Sequence, residues 1–230
     1  LLRQCMNRWH ELSRNASTDQ MHAHQASNPR SNDLVLIKLD GTILDTVNMT
    51  IDPFHSQIVS QFNKRDLMFN LIFGNAAADR KGTIFGKLVI YRKGLMDLMY
   101  SMRSVNGSDG SFDVAVYGDG NLFESVYNAV SIETYFNWQH PRIPLNFKFA
   151  TEEMPTIPWV QYDRVVIVDA ATSSHGSSVP ELPHFTWIQI RPFSISTKES
   201  VLREWKNERN RNDKSLGTVQ EFLASINAQD

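Results

Sequence analysis

The sequence predicts an α/β domain with a central parallel sheet and helices on both faces. Three observations carry this expectation. Short apolar runs with a β-branched share recur along the chain, among them Leu34-Val35-Leu36-Ile37 and Val165-Val166-Ile167-Val168, the pattern of strands buried on both faces. Between them lie stretches with apolar residues at helical spacing. Two of the runs end beside an acid, Asp40 and Asp169, and the carboxyl edge of an open α/β sheet is where ligands bind.

Residues 1–32 read as an N-terminal extension and polar linker, and residues 33–227 as the domain. In the extension Leu2, Cys5, Met6 and Trp9 share a helical face, while Arg3, Arg8 and Arg14 stand against one acid, Glu11. Two readings stay open there: an amphipathic helix docked on the domain or on a partner, and the remnant of a mitochondrial transit region. Residues 17–33 are polar, and His22 and His24 have no other metal ligands near them in sequence.

Residues 34–39 form the first strand. Phe54, Ile58, Val59, Phe62, Leu67, Leu71 and Ile72 recur at a spacing that predicts one or two helices over 54–73. Thr83 to Tyr91 alternates and, with Gly82 and Gly86, predicts a hairpin strand. Leu95, Leu98, Met99 and Met102 mark an amphipathic helix over 94–102. A turn at 106–110, a strand at 114–117 and a helix at 122–130 follow. Strands at 165–168 and 187–190, then helices at 200–210 and 218–226, close the domain. Strands alternating with helices imply a parallel sheet.

Composition bounds the function. Hydrophobic residues at 41% and charged residues at 21% give a globular rather than a disordered balance. A net charge of −2 supplies no global basic field for a nucleic acid backbone. No apolar run approaches the ~18 residues of a membrane span. Cys5 is the sole cysteine, which excludes an internal disulfide and makes a reducing compartment the default. The sequons at Asn15, Asn48 and Asn106 read as chance matches.

Four segments carry a resemblance. Leu34 to Thr46 is an apolar strand running into Lys38-Leu39-Asp40-Gly41-Thr42. Gly82 to Gly94 ends in Arg92-Lys93-Gly94. Phe112 to Tyr117 and Arg164 to Asp169 are apolar strands, the second reading Val165-Val166-Ile167-Val168-Asp169. With Phe185 to Phe193, these resemble, in order, the elements of one branch of the haloacid dehalogenase superfamily. That branch holds the phosphatases of the RNA polymerase II C-terminal domain, the NLI-interacting-factor-like proteins and the receptor subunit of the mitochondrial inner-membrane presequence translocase. The resemblance implies a Rossmannoid domain with a central parallel sheet and a small hairpin insertion.

It also implies a phosphoryl-transfer site, and there this sequence departs from the pattern. The first motif of the family, D-x-D-G-T, supplies an Asp nucleophile that forms an aspartyl-phosphate. Lys38 stands in its place. The acid/base Asp two residues on is present as Asp40, and Thr42 closes the motif. The phosphate-binding Thr or Ser of the second motif is Gly118, followed by Asp119. The charge-balancing lysine of the third falls near Glu153, with Lys148 the nearest lysine. The metal-ligating Asp of the fourth is Asp169, and Ala170 adds no second carboxylate. Lys38, Asp40, Thr42, Gly118 and Asp169 thus form a vestigial site with no catalytic group expected.

Replacing Asp by Lys changes local charge by two units where Mg²⁺ would need carboxylate oxygens. A unit charge at ~4 Å is worth about 4 kcal/mol at an effective dielectric of ~20. No cofactor is therefore expected. Mg²⁺ on Asp40 and Asp169 belongs to the alternative reading, a residual Mg²⁺-dependent phosphoprotein phosphatase. The ammonium of Lys38 is expected to pair with Asp169 or Asp40 in the ion's place.

Other constellations are weaker. Ser173 to Ser178, with His175, reads as a polar loop. Lys206, Arg209, Arg211 and Lys214 interleave with Asn, Glu and Asp. They read as a solvated face, with RNA contact by a structural protein as the alternative. Trp138, His140 and Arg142 read as lying in a Pro-containing loop, where an exposed aromatic would mark a partner surface. The leading expectation is a pseudophosphatase that serves as a protein-interaction or assembly subunit of a larger, mitochondrial complex. A cytoplasmic or nuclear setting is the alternative.

Overall fold

The computed structural model describes residues 7–12, 33–51, 69–73, 84–104, 112–118, 122–151, 162–170, 185–194 and 213–227. Its centre is a five-stranded sheet of β1 (Asp33–Lys38), β5 (Phe112–Tyr117), β6 (Ala150–Thr151), β7 (Arg164–Asp169) and β8 (Phe185–Gln189), in the order β6-β5-β1-β7-β8. Every pairing in it is parallel. Parallel strands need crossover connections, and the helices Leu95–Ser104 and Leu122–Gln139 lie in those from β1 to β5 and from β5 to β6. β1 is the central strand and all six of its residues are buried.

Alternation along the strands divides the core in two. Val35 and Ile37 of β1, Val114 and Val116 of β5, and Val166 and Val168 of β7 face one side. There they meet α1 (Leu95–Ser104), α2 (Leu122–Gln139) and α3 (Ser215–Asn227) through Leu98, Met99, Val126, Ala129, Ile132, Val219 and Leu223. Leu34, Leu36, Ala115, Val165 and Ile167 face the other side, with Phe149 and Tyr162. Among the described residues no helix contributes to that second cluster.

A second sheet rises from the carboxyl end of β1. β2 (Leu44–Ile51), β4 (Ile84–Tyr91) and β3 (Phe69–Phe73) pair antiparallel in the order β2-β4-β3. The insertion is therefore three-stranded, and β2, like the short β6, lies where no strand was expected. Phe69–Phe73 corrects the helical expectation over 54–73, at least for its last residues. Phe-Asn-Leu-Ile-Phe is a short run of apolar, largely aromatic and β-branched character, which fits a pleated surface as well as a helix face. The rest of that stretch, the turn at 106–110 and the helix at 200–210 lie outside the described residues. The helix expected over 122–130 continues to Gln139.

Residues 7–12 are helical and pack on the domain. Leu12 is fully buried in the first core cluster, with Trp9 against it. Arg8 donates through Nε and Nη2 to the two carboxylate oxygens of Glu133 on α2, at 2.9 and 2.7 Å. It also donates to the carbonyl of Phe147. The Phe147 N–H in turn donates to Glu133. A buried carboxylate is costly unless paired and hydrogen-bonded, and Arg8 does both for Glu133.

Candidate functional site at the carboxyl edge

The register of the sheet builds the site. Lys38 pairs with Tyr117 across β1 and β5, and Ile37 with Val168 across β1 and β7. One residue further, Lys38 falls level with Asp169. Even positions of β1 and odd positions of β5 and β7 point to the second face, so Tyr117, Lys38 and Asp169 form one row of side chains at the carboxyl edge. The Lys38 Nζ lies 3.9 Å from Asp169 Oδ1, with both side chains almost fully buried. The Tyr117 hydroxyl donates to Asp169 Oδ2 at 3.2 Å. Asp169 Oδ1 is buried without a hydrogen bond, so the nearby ammonium is its compensation.

The turn after β1 carries the rest. Gly41 adopts φ +68°, a left-handed conformation that favours glycine, although no atom crowds the place of its missing Cβ. Leu39 accepts from Ile43 and Leu44 N–H, and Phe193 N–H donates to the Gly41 carbonyl at 2.7 Å. Thr42 is fully buried. Its Oγ1 accepts from Ala170 N–H at 2.9 Å, tying this turn to the residue that follows Asp169.

Gly118 sits just past β5, its N–H donating to the Thr151 carbonyl at 3.1 Å. A Cβ there would meet Ser125 Oγ at 2.9 Å and Asp40 Oδ2 at 3.0 Å. The position thus lacks a hydroxyl, and a side chain there would require Ser125 or Asp40 to shift. Asp40 turns toward β5 and α2, and Lys38 toward Asp169.

Arg92 holds the turn from behind. It is buried in the Arg-Lys-Gly segment after β4. Its Nη1 donates to the Thr42 carbonyl, its Nη2 to the Arg191 carbonyl and its Nε to Asp213 Oδ2, each at 2.8 Å. Its guanidinium lies 5.5 Å from the Phe193 ring centroid. Burial pulls Arg92 below its ordinary pKa, and Asp213 opposes that. Burial would raise the Asp213 carboxyl, but Ser215 backbone and hydroxyl donors and then Arg92 outweigh it and hold the carboxyl below its ordinary value.

Five sequence candidates, Lys38, Asp40, Thr42, Gly118 and Asp169, therefore gather at one edge. Lys148 does not join them. Its N–H donates to Val114 and its Nζ lies 3.5 Å from Asp113, toward the start of β5. Asp119, Glu153, the Ser173 to Ser178 segment, Lys206, Arg209 and Arg211 lie outside the described residues, and Lys214 is exposed. Sequence reasoning missed Tyr117, Ser125 and Asp213. Only Tyr117 had a signal, as the last residue of the apolar run Phe112 to Tyr117 that ends beside Gly118.

No protein-family model matches the chain, and no curated protein does. Among solved structures, the chain is similar to the fission yeast RNA polymerase II CTD phosphatase Fcp1, in an arginine-to-alanine variant bound to beryllium fluoride. The TM-score is 0.53 at 14% identity, over 91% of this chain and 65% of that one. A second structure of Fcp1, described as an essential RNA polymerase II CTD phosphatase, gives a TM-score of 0.47 at 14% identity, over 91% of this chain and 54% of that one. The chain thus spans about two thirds and about half of these structures. The fold is α/β, with a central parallel sheet and flanking helices, and it is shared with the first of these structures.

Proposed function

We propose that this chain is a pseudophosphatase, a phosphatase fold without phosphoryl transfer, acting as a protein-interaction or assembly subunit of a larger complex. The observation that supports it is the buried Lys38 ammonium beside Asp169, where the family resemblance asks for a nucleophilic carboxylate. A protonated amine has no lone pair to attack phosphorus. The residues do not fit Mg²⁺. The ion needs oxygen ligands in octahedral array, and here one Asp169 oxygen accepts from Tyr117 while the other faces an ammonium. Among the described residues no group of three or more His, Cys, Asp or Glu is arranged to hold a metal. A mitochondrial setting is part of the proposal, but Arg8, one of the three arginines that suggest it, is used inside the domain.

The test is turnover. Purified chain with Mg²⁺ is expected to hydrolyse neither an aryl phosphate nor a phosphopeptide above background, and Asp40→Asn is expected to change nothing. Metal-dependent turnover that disappears in Asp40→Asn would replace this reading with a residual phosphatase.

A further inference from the structure

We propose that the carboxyl edge of the sheet takes a primary ammonium group in place of a phosphate. In an assembly subunit that group is a lysine side chain of the partner. This rests on the reading of the chain as a pseudophosphatase with a binding role, and it names the chemistry that the vestigial site recognises. Two oxygens point to it. Ser125 Oγ and Asp40 Oδ2 lie 2.9 and 3.0 Å from the place where a Gly118 Cβ would be. Ser125 is 1% exposed, and its Oγ is buried without a hydrogen bond. A buried hydroxyl left without a partner is costly, and this one faces the gap that glycine leaves. Asp40 is partly exposed, so the site is reachable from solvent on its side.

The edge offers acceptors, while its donors are engaged inside the fold. Leu39 N–H donates to the Tyr117 carbonyl at 2.7 Å, Gly41 N–H to that of Leu44 at 2.9 Å, and Gly118 N–H to that of Thr151 at 3.1 Å. Ala170 N–H donates to Thr42 Oγ1 at 2.9 Å. The Tyr117 hydroxyl donates to Asp169, and the Lys38 ammonium is directed at Asp169 as well. A phosphate would have to break such bonds to gain its own. An ammonium would not, because an ionised carboxylate only accepts and a hydroxyl can accept too.

Charge favours the same sign of ligand. Among the described residues this edge carries Asp40 and Asp169 against Lys38, with Glu124 in the first turn of α2. The N-terminus of α2 adds a partial positive charge, and the acid of that turn offsets it. A net negative edge draws a cation and repels an anion. Lysine suits it better than arginine. An ammonium is a compact point charge with three donors, whereas a guanidinium is a planar fork, and the gap beside Gly118 is narrow.

The test is titration of ¹⁵N-labelled chain, read at the amides of Asp40, Gly118 and Ser125. The probes are butylamine, an end-blocked Gly-Lys-Gly tripeptide, the same tripeptide acetylated on its lysine, and inorganic phosphate. The lysine tripeptide is expected to shift these amides, and the acetylated tripeptide and phosphate are expected to leave them in place. Asp40→Asn is expected to weaken the lysine tripeptide by about tenfold or more, and Ser125→Ala to weaken it by a smaller factor. Ser125→Ala removes a hydroxyl that has no partner, so its melting temperature is expected to hold, which keeps a readout if Asp40→Asn fails to fold. Tighter binding of the lysine tripeptide than of butylamine supports a protein lysine. Equal or tighter binding of butylamine overturns that source in favour of a small free amine. Shifts by phosphate, equal shifts by the acetylated tripeptide, or lysine binding unchanged in the variants overturn the ammonium site. A chain that binds no amine yet shows no turnover loses this site and keeps the function proposed above. A chain that binds the lysine tripeptide and also turns over phosphate keeps the site and loses its catalytic silence.

Discussion

At the scale of the residue, the buried Lys38 stands beside one buried acid, Asp169. Asp169 is buried with one oxygen lacking a hydrogen bond, and Lys38 is the cation beside it. Removing one partner of a buried pair leaves the other charge uncompensated. Lys38→Ala is expected to destabilise the fold by about 1–3 kcal/mol, measured by chemical denaturation. Lys38→Asp would set two carboxylates together, each resisting ionisation of the other, so its melting temperature is expected to fall and to recover in part with Mg²⁺. An unchanged Lys38→Ala stability would remove the ion pair from the account. Gly118 gives a second test. Gly118→Ser restores the hydroxyl that the family resemblance asks for, yet its Cβ meets Ser125 Oγ and Asp40 Oδ2. Overpacking predicts a loss of about 1–3 kcal/mol, partly recovered by adding Ser125→Ala. A stable Gly118→Ser would mean that Asp40 moves freely.

At the scale of the element, the helical segment 7–12 separates two readings of the N-terminus. A dispensable leader would leave the domain unchanged when removed. The packing says otherwise, because Leu12 is fully buried and Arg8 holds both oxygens of the buried Glu133. Arg8→Ala is expected to cost about 3–5 kcal/mol, since Glu133 would keep its burial and lose its cation. Deletion of residues 1–12 should lower the melting temperature by more, as it also opens the site of Leu12. A deletion that melts like the parent chain would return this segment to the linker.

At the scale of the whole molecule, Arg92 and Asp213 join parts far apart in the chain. The turn after β1, the exit of β8 and the start of α3 all meet on one guanidinium. Asp213 has a depressed carboxyl, so the folded state binds its proton less readily than the unfolded state does. Its contribution is therefore present above the unfolded carboxyl value, about 3.8, and is lost as pH falls through the lower folded value. Denaturation midpoints are expected to drop below about pH 4, and Asp213→Asn should weaken that dependence while lowering stability at neutral pH. A variant with the parent's acid profile would show that other carboxylates set it.

What the sequence determined by itself follows from local pattern. β1, β5, β7, β8, α1 and the last helix are legible because apolar period and β-branched content are properties of neighbouring residues. The resemblance carried by the ordered segments implied Lys38, Asp40, Thr42, Gly118 and Asp169 as one group. The tertiary structure decided the rest. It made Phe69–Phe73 a strand by pairing it with β4, because a short apolar run satisfies either period until it has a neighbour. It brought Tyr117 onto Asp169 through a register that spans two strand pairings. It recruited Asp213 to Arg92 across a long stretch of chain. It also filled the place of a Gly118 side chain with Asp40 and Ser125. Ion pairs and close contacts between distant residues depend on the chain's path in space, and one sequence read in order carries no direct record of that path.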